Sequence, residues 1–164
     1  MDVLDAIKNR RSVRKYTKDA VSDAVVEQIL EAGRWAPSGL NNQPWKFSVV
    51  KDAETRKKLA ACTHYGKTVL NAPACIAVFL DAGESYDRTK DLQAVGACIQ
   101  NMLLAVHALG LGAVWLGEIL QKKSEVEKIL AAPGGCEFMA LIALGHPAEK
   151  PTSGRKPRGD LLLP

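Results

Sequence analysis

Apolar residues recur along this chain at two spacings, and the alternation between them predicts its elements. Val3, Leu4 and Ile7 share one face of a first short helix, which the charged stretch beginning at Arg10 brings to an end. Ser22-Asp23 then reads as the cap of a second helix, in which Val25, Val26, Ile29 and Leu30 repeat at helical spacing until Pro37 stops it. Lys46 to Val50 reads as a strand, with Asp52 as the N-cap of a helix from Ala53 to Ala61. After a loop holding His64, Tyr65 and Gly66, the run Ala74 to Leu80 is a second strand, rich in Ile, Val and Phe.

From about Thr89 to Leu109 the apolar positions spread over nearly every face of a long helix, including Leu92, Val95, Ile99, Met102, Leu103, Val106 and Leu109. A helix apolar all round must be covered all round. One sheet hides one face only, so the pattern implies that a second subunit covers part of the rest; the alternative is a central helix buried within its own chain. Gly110 to Gly112 end the helix, and Ala113 to Leu116 form a strand. Ser124 is expected to cap a short helix to Ala131, Pro133-Gly134-Gly135 to turn the chain, and Glu137 to Leu144 to supply another strand. Lys150 to Pro164, rich in Pro, Gly and basic residues, has the composition of a disordered tail. Strands separated by helices, without a regular β-α-β rhythm through the first third, indicate an α+β sandwich.

Composition narrows the picture. The 164 residues suit one domain spanning 1–164, and 47% hydrophobic with 24% charged residues is ordinary for a soluble globular chain. The stretch from Met102 to Trp115 is too short to span a membrane, and the first residues lack the basic-then-apolar pattern of a secretory signal, so a cytoplasmic location is expected. Cys62, Cys75, Cys98 and Cys136 are scattered without a C-x-x-C pair, which indicates reduced thiols and neither a zinc site nor a redox dithiol. A net charge of +4 is well short of a nucleic-acid footprint, and small anionic ligands suffice to explain it.

The candidate chemistry begins at Arg10-Arg11-Ser12-Val13-Arg14. Three guanidinium groups in five residues suit a permanently charged anion, because the planar fork binds phosphate oxygens bidentately and does not deprotonate. Taken alone, the run is more simply a solvated basic turn, since charge runs usually face water. A second segment, Pro37-Ser38-Gly39-Leu40-Asn41-Asn42-Gln43-Pro44-Trp45, lies between a helix and an apolar strand; alone it is also a helix-stop loop. The partial glycine fingerprint at Gly110 and Gly112 fails, since Trp115 stands where the third glycine belongs, so no dinucleotide-binding domain is indicated.

Together the two segments resemble the signature of the nitroreductase family, in which Arg-Arg-Ser-x-Arg follows a short helix and Pro-Ser-x-x-Asn-x-Gln-Pro-Trp follows the next. The likeness continues through Trp115-Leu116-Gly117 and Gly145-His146-Pro147 to Lys156-Pro157-Arg158, nearly the whole chain. It implies a mixed, largely antiparallel sheet flanked by helices, and a homodimer with FMN in two interfacial clefts. It also implies an FMN-dependent oxidoreductase that takes electrons from NADH or NADPH and passes them, by ping-pong transfer through flavin N5, to nitroaromatic, quinone or similar conjugated acceptors. A flavin-binding protein of the same fold with another acceptor or a flavin-processing role is the alternative, and a basic nucleic-acid-binding module built on Arg10, Arg11, Arg14 and the Arg155-Lys156-Arg158 tail is a remote one.

The resemblance assigns roles residue by residue. Arg10, with Arg11 beside it and Lys156 and Arg158 arriving from the C-terminus, would neutralise the phosphate, at about 1.5 to 3 kcal/mol for each charge-assisted bond. Ser12 would serve the ribityl chain or phosphate. Arg14 would stand at the pyrimidine edge, where a cation stabilises reduced flavin. Pro37, Ser38, Gly39 and Asn41 would reach the flavin of the opposite subunit, and Leu116 and Gly117 would lay backbone against the ring. No side chain is expected to act as nucleophile or general base, and no metal is expected. Longer relatives insert helices that lid the substrate; here only a few residues separate Leu109 from Ala113, which implies a more open pocket.

Overall fold

The frame that positions every candidate group is a four-stranded sheet, seen in a computed structural model that describes residues 1–163. Strands β1 (Trp45–Val50), β2 (Ala74–Asp81), β3 (Gly112–Leu116) and β4 (Cys136–Gly145) lie in the order β1-β2-β4-β3. All three pairings are antiparallel, and the parallel component is confined to a single bridge between Ser12 and Ala113 at the β3 edge.

Strand alternation divides the core in two. On one face Ile76, Val78 and Leu80 pack with Ile142 and Leu144 against helices α2 (Asp23–Arg34) and α5 (Arg88–Ala108). On the other, Cys75, Ala77 and Phe79 pack with Leu141 and Phe138 against Leu59 of α3 (Ala53–Ala60), Val69 of α4 (Gly66–Asn71) and Val126 of α6 (Lys123–Ile129). Both central strands therefore read as continuous apolar runs, as strands covered on both faces do.

The predicted caps form. Ser22 Oγ accepts from Val25 N at 3.3 Å, and Asp52 Oδ1 accepts from Thr55 N at 2.7 Å. Helix α1 (Val3–Asn9) is capped by Asp2, whose carboxylate accepts from Leu4 N. Two expectations need correcting. Ser124 lies inside α6 rather than capping it, because a 3-10 turn over Glu118–Lys122 runs straight into the helix and removes the need for a side-chain cap; α6 also ends at Ile129, before Ala131. The stretch after His64 contains α4, a six-residue helix whose N-cap, Tyr65, makes no side-chain capping bond.

Helix α5 is also less open than its sequence suggests. Val95, Ile99, Met102, Leu103 and Val106 are buried within their own chain, between the sheet and α2, which leaves Leu92 and Leu109 as the exposed members of the predicted set. The exposed apolar surface gathers elsewhere: Val3, Leu4 and Ile7 on α1, Trp35 and Leu40 near the end of α2, and Leu161 to Leu163. Residues 152–163 run exposed along the surface, with one 3-10 turn at Arg158–Leu161. No helix among the described residues is long and apolar enough to cross a membrane.

Candidate functional site

The segment after α1 is clamped between the edge strand β3 and the chain leaving β4. Val13 N donates to Ala113 O, Thr17 N to His146 O, and Ala148 N to Lys15 O, each at 2.9 Å. Glu149 adds a side-chain tie: its Oε1 accepts from Arg14 N at 2.7 Å and from Lys15 N at 3.2 Å. Tyr16 is buried below, its hydroxyl 2.5 Å from Val13 O and 2.9 Å from Ala143 O. The register is tight, since a Cβ on Gly112 would stand 2.7 Å from Val13 Cβ. The basic run is thus extended backbone held at both sides, a rigid mount for whatever its side chains meet.

Arg10 and Arg11 line a cleft of about 270 Å³ between the end of α1, the end of α5 and residues 147–151, over a floor that includes Val13, Leu103 and Val106. Burial, then the charges of Arg155 and Arg11, push the Arg10 guanidinium below the ordinary arginine value. Like charges have been gathered here, which favours an anionic guest. None of Arg10, Arg14, Arg155, Lys156 and Arg158 forms a salt bridge among the described residues. Arg11 is partly engaged, because its Nη1 donates to Lys8 O and Arg10 O and so caps α1. Of the C-terminal basic residues it is Arg155 whose charge is felt at Arg10; Lys156 and Arg158 are exposed further along the tail. The sequence gives Arg155 no part in holding a flavin, because an irregular tail has no periodicity from which to read direction.

The second segment is a strained loop. Leu40, Asn41 and Gln43 all take positive φ, at 54°, 56° and 49°, which costs on the order of 1 to 3 kcal/mol per residue and persists only where the surroundings impose it. The imposition comes from Asp91 on α5, fully buried, which accepts from Asn42 Nδ2 at 2.8 Å, Ser85 Oγ at 2.6 Å and the amides of Tyr86 and Asp87. Burial alone would raise its pKa, yet these bonds, led by Ser85 and Asn42, outweigh it and hold the carboxyl below its ordinary value. Gln43 N donates to Ser38 Oγ, which closes the loop. Pro37, Ser38 and Gly39 line a separate groove of about 320 Å³ with Tyr86, Lys90 and Gln93. Tyr86 rests on Gly39 so closely that a Cβ there would lie 1.8 Å from the phenol oxygen. Asn41 is exposed beside it. The two sequence segments therefore line different cavities within one chain.

Leu116 is buried in the core, so only its backbone is free to meet a ligand; Gly117 is exposed, and a Cβ there would point into open space. Glu118, to which the sequence assigned nothing, ties two loops: its Oε2 accepts from Thr63 Oγ1 at 2.6 Å and from His64 N at 3.1 Å. Those bonds, with His64 nearby, hold its carboxyl below the ordinary value. The thiols are unpaired, and burial pushes those of Cys75 and Cys98 up to about 12, which leaves them inert at neutral pH. No group of three or more His, Cys, Asp or Glu placed to hold a metal occurs among the described residues.

The structure thus joins an α+β sheet to an edge-mounted basic cleft, a strained loop and an open glycine turn. Comparison with known proteins gives the class: the profile of the Nitroreductase family matches residues 7–65 and 60–146, and the chain belongs to that family. A crystal structure of a Desulfovibrio desulfuricans protein in complex with FMN, provisionally described as a nitroreductase, superposes with a TM-score of 0.96 at 53% identity, covering 100% of this chain and 96% of that one. A Methanothermobacter thermautotrophicus protein provisionally named NADH dehydrogenase/NAD(P)H nitroreductase is 39% identical over 92% of this chain and 80% of its own length. An NADH dehydrogenase of Thermus thermophilus is 31% identical over 92% of this chain and 89% of its own.

Proposed function

We propose that this chain is an FMN-dependent NAD(P)H oxidoreductase that works as a homodimer and reduces nitroaromatics, quinones or similar conjugated acceptors. The observation that carries the reading is the gathering of Arg10, Arg11 and Arg155, none of them in a salt bridge, around a cleft whose one acidic side chain, Glu149, is engaged by backbone amides, in a chain 53% identical to a protein crystallised with FMN. The residues present fit that group: guanidinium forks without salt-bridge partners for a phosphate, and an open glycine turn at Gly117, where the space a Cβ would take is free for a flat ring to approach the backbone.

FMN, when bound, would supply two-electron redox chemistry between the nicotinamide and the acceptor, in a ping-pong cycle. The chain's own residues bind and orient. Arg10 and Arg155 would hold the phosphate, with Lys156 and Arg158 able to join from the tail. Ser12 would face the ribityl chain, and Arg14, fixed at its amide by Glu149, would place a cation at the pyrimidine edge. The loop of Pro37, Ser38, Gly39 and Asn41, which shares no cavity with Arg10, would serve the flavin of the partner subunit. The apolar face of α1 and the exposed Leu161 to Leu163 are surface of the kind a partner would cover.

The test is an absorption spectrum of the purified protein, recorded anaerobically before and after NADH or NADPH. Flavin absorbance that is bleached by the nicotinamide and restored by a nitroaromatic or quinone supports the proposal, whereas a colourless protein that takes up no FMN overturns it. Bleaching without turnover of any nitro compound or quinone would favour the second reading, a flavoprotein of this fold with a different acceptor or a flavin-processing role.

A further inference from the structure

We propose that His107 is a proton-dependent member of the phosphate-binding cleft, an imidazole that becomes a cation when the phosphate of FMN enters beside Arg10 and Arg11. The inference rests on the FMN reading above and adds to it a residue that the two sequence segments do not contain.

The geometry comes first. His107 sits in the last turn of α5 and lines the same 270 Å³ cleft as Arg10 and Arg11. Its Nε2 is shielded from solvent and has no hydrogen-bond partner. A buried ring nitrogen without a partner costs free energy, and such atoms call for an explanation. The charged groups that face the cleft from the elements around it are Arg10 and Arg11 beyond α1, and Glu149 and Lys150 on the segment leaving β4; α5 itself presents the negative end of its dipole. Arg155 adds its charge through Arg10.

Among the protein's own groups in the cleft the cations prevail. Burial, followed by the charges of Arg10 and Arg11, lowers the imidazole's pKa and so favours its neutral form. A phosphate dianion placed among the same arginines reverses the sign of the local field. The arginines cannot respond by titrating, since they are charged throughout the accessible range. The imidazole can. It takes one proton from solvent as the phosphate arrives and so adds a positive charge that the free protein does not carry. His107 thereby favours phosphorylated over unphosphorylated flavin, and more strongly at lower pH.

The experiment follows the three histidine Cε1–H resonances by NMR through a pH titration of the full chain, stripped of flavin and then loaded with FMN, riboflavin or inorganic phosphate. His64 and His146 are assigned with H64Q and H146Q, which leaves His107 untouched. The expected result is an upward movement of the His107 midpoint with FMN and with phosphate, and none with riboflavin. FMN affinity, read by quenching of flavin fluorescence, should then fall about tenfold per unit of that movement as pH rises past the bound-state midpoint, and H107Q should lose this component. An unmoved midpoint with FMN bound overturns the role of His107 and leaves the flavin reading intact. So does an identical pH dependence in H107Q. Failure to bind FMN at any pH overturns both.

Discussion

Asp91 shows how much a single side chain can hold. It is a fully buried carboxylate on α5 that anchors Asn42 across 49 positions of sequence, and with it a loop in which three residues adopt left-handed backbone. Removing the carboxylate leaves Asn42, Ser85 and two amides short of an acceptor. D91A is therefore expected to lose about 3 kcal/mol of stability, read as a lowered urea midpoint, and to lose flavin along with it as the loop relaxes. Gly112 works by absence. A methyl group there meets Val13 at 2.7 Å, and Val13 is pinned to Ala113 by a backbone hydrogen bond, so the residue that must move carries Ser12 and Arg14 with it. G112A should cost about 1 to 3 kcal/mol by overpacking and weaken FMN binding several-fold, whereas a purely local effect would leave flavin affinity unchanged. Neither residue stands out in the sequence. Asp91 looks like any acidic residue in the first turn of a helix, Gly112 looks like part of a helix stop, and their partners become visible only once distant segments are brought together. Glu149, 135 positions from the Arg14 amide it accepts from, is hidden for the same reason.

At the level of elements, what could be read in advance was what local physics decides. Ser22 and Asp52 cap the helices they precede, and the apolar run at 74–80 is a strand buried on both faces, while 46–50 is an edge strand that leaves Lys46 and Val49 exposed. Helix α4 escaped because six residues without a side-chain cap carry too little periodicity to register, and α6 was misplaced at its start because a 3-10 turn feeds it. The ion pairs that fasten elements together are likewise long-range. Glu137 on β4 accepts from Arg88 at the start of α5, at 2.7 and 3.0 Å, and from Lys123 at the start of α6, at 2.5 Å. Arg88, then Lys123, draws its carboxyl down to about 2. A carboxylate whose pKa is depressed on folding stabilises above its unfolded value, about 4.3, and that contribution is lost as pH falls toward the folded value. Thermal melts between pH 5 and 2 should therefore show a shallower acid limb for E137Q than for the wild type, with E137Q already lower at pH 7. Equal limbs would mean that solvent screens the triad.

The whole molecule raises the question of where each flavin finds its contacts. Within one chain Arg10 and the Pro37–Asn41 loop line separate cavities, while apolar surface on α1, at Leu40 and at Leu161 to Leu163 stands uncovered. Both facts are accounted for if two copies pair, so that the arginines of one face the loop of the other. Two crippled chains then allow a decisive comparison. R10A removes the proposed phosphate contact, and S38W fills the space before the loop; either variant alone, as a homodimer, should spoil both sites. Co-expressed with different affinity tags and purified as the mixed dimer, they make one site from two intact halves and one from two damaged halves. Bound FMN should return to about one per dimer, against two in the wild type and near zero in each parent. If every site were instead built from one chain, each half of the mixed dimer would carry its own lesion, and no flavin would be regained. Flavin absorbance against protein concentration, with the mass of the pair measured by light scattering as twice the 17.7 kDa of one chain, reads the answer directly.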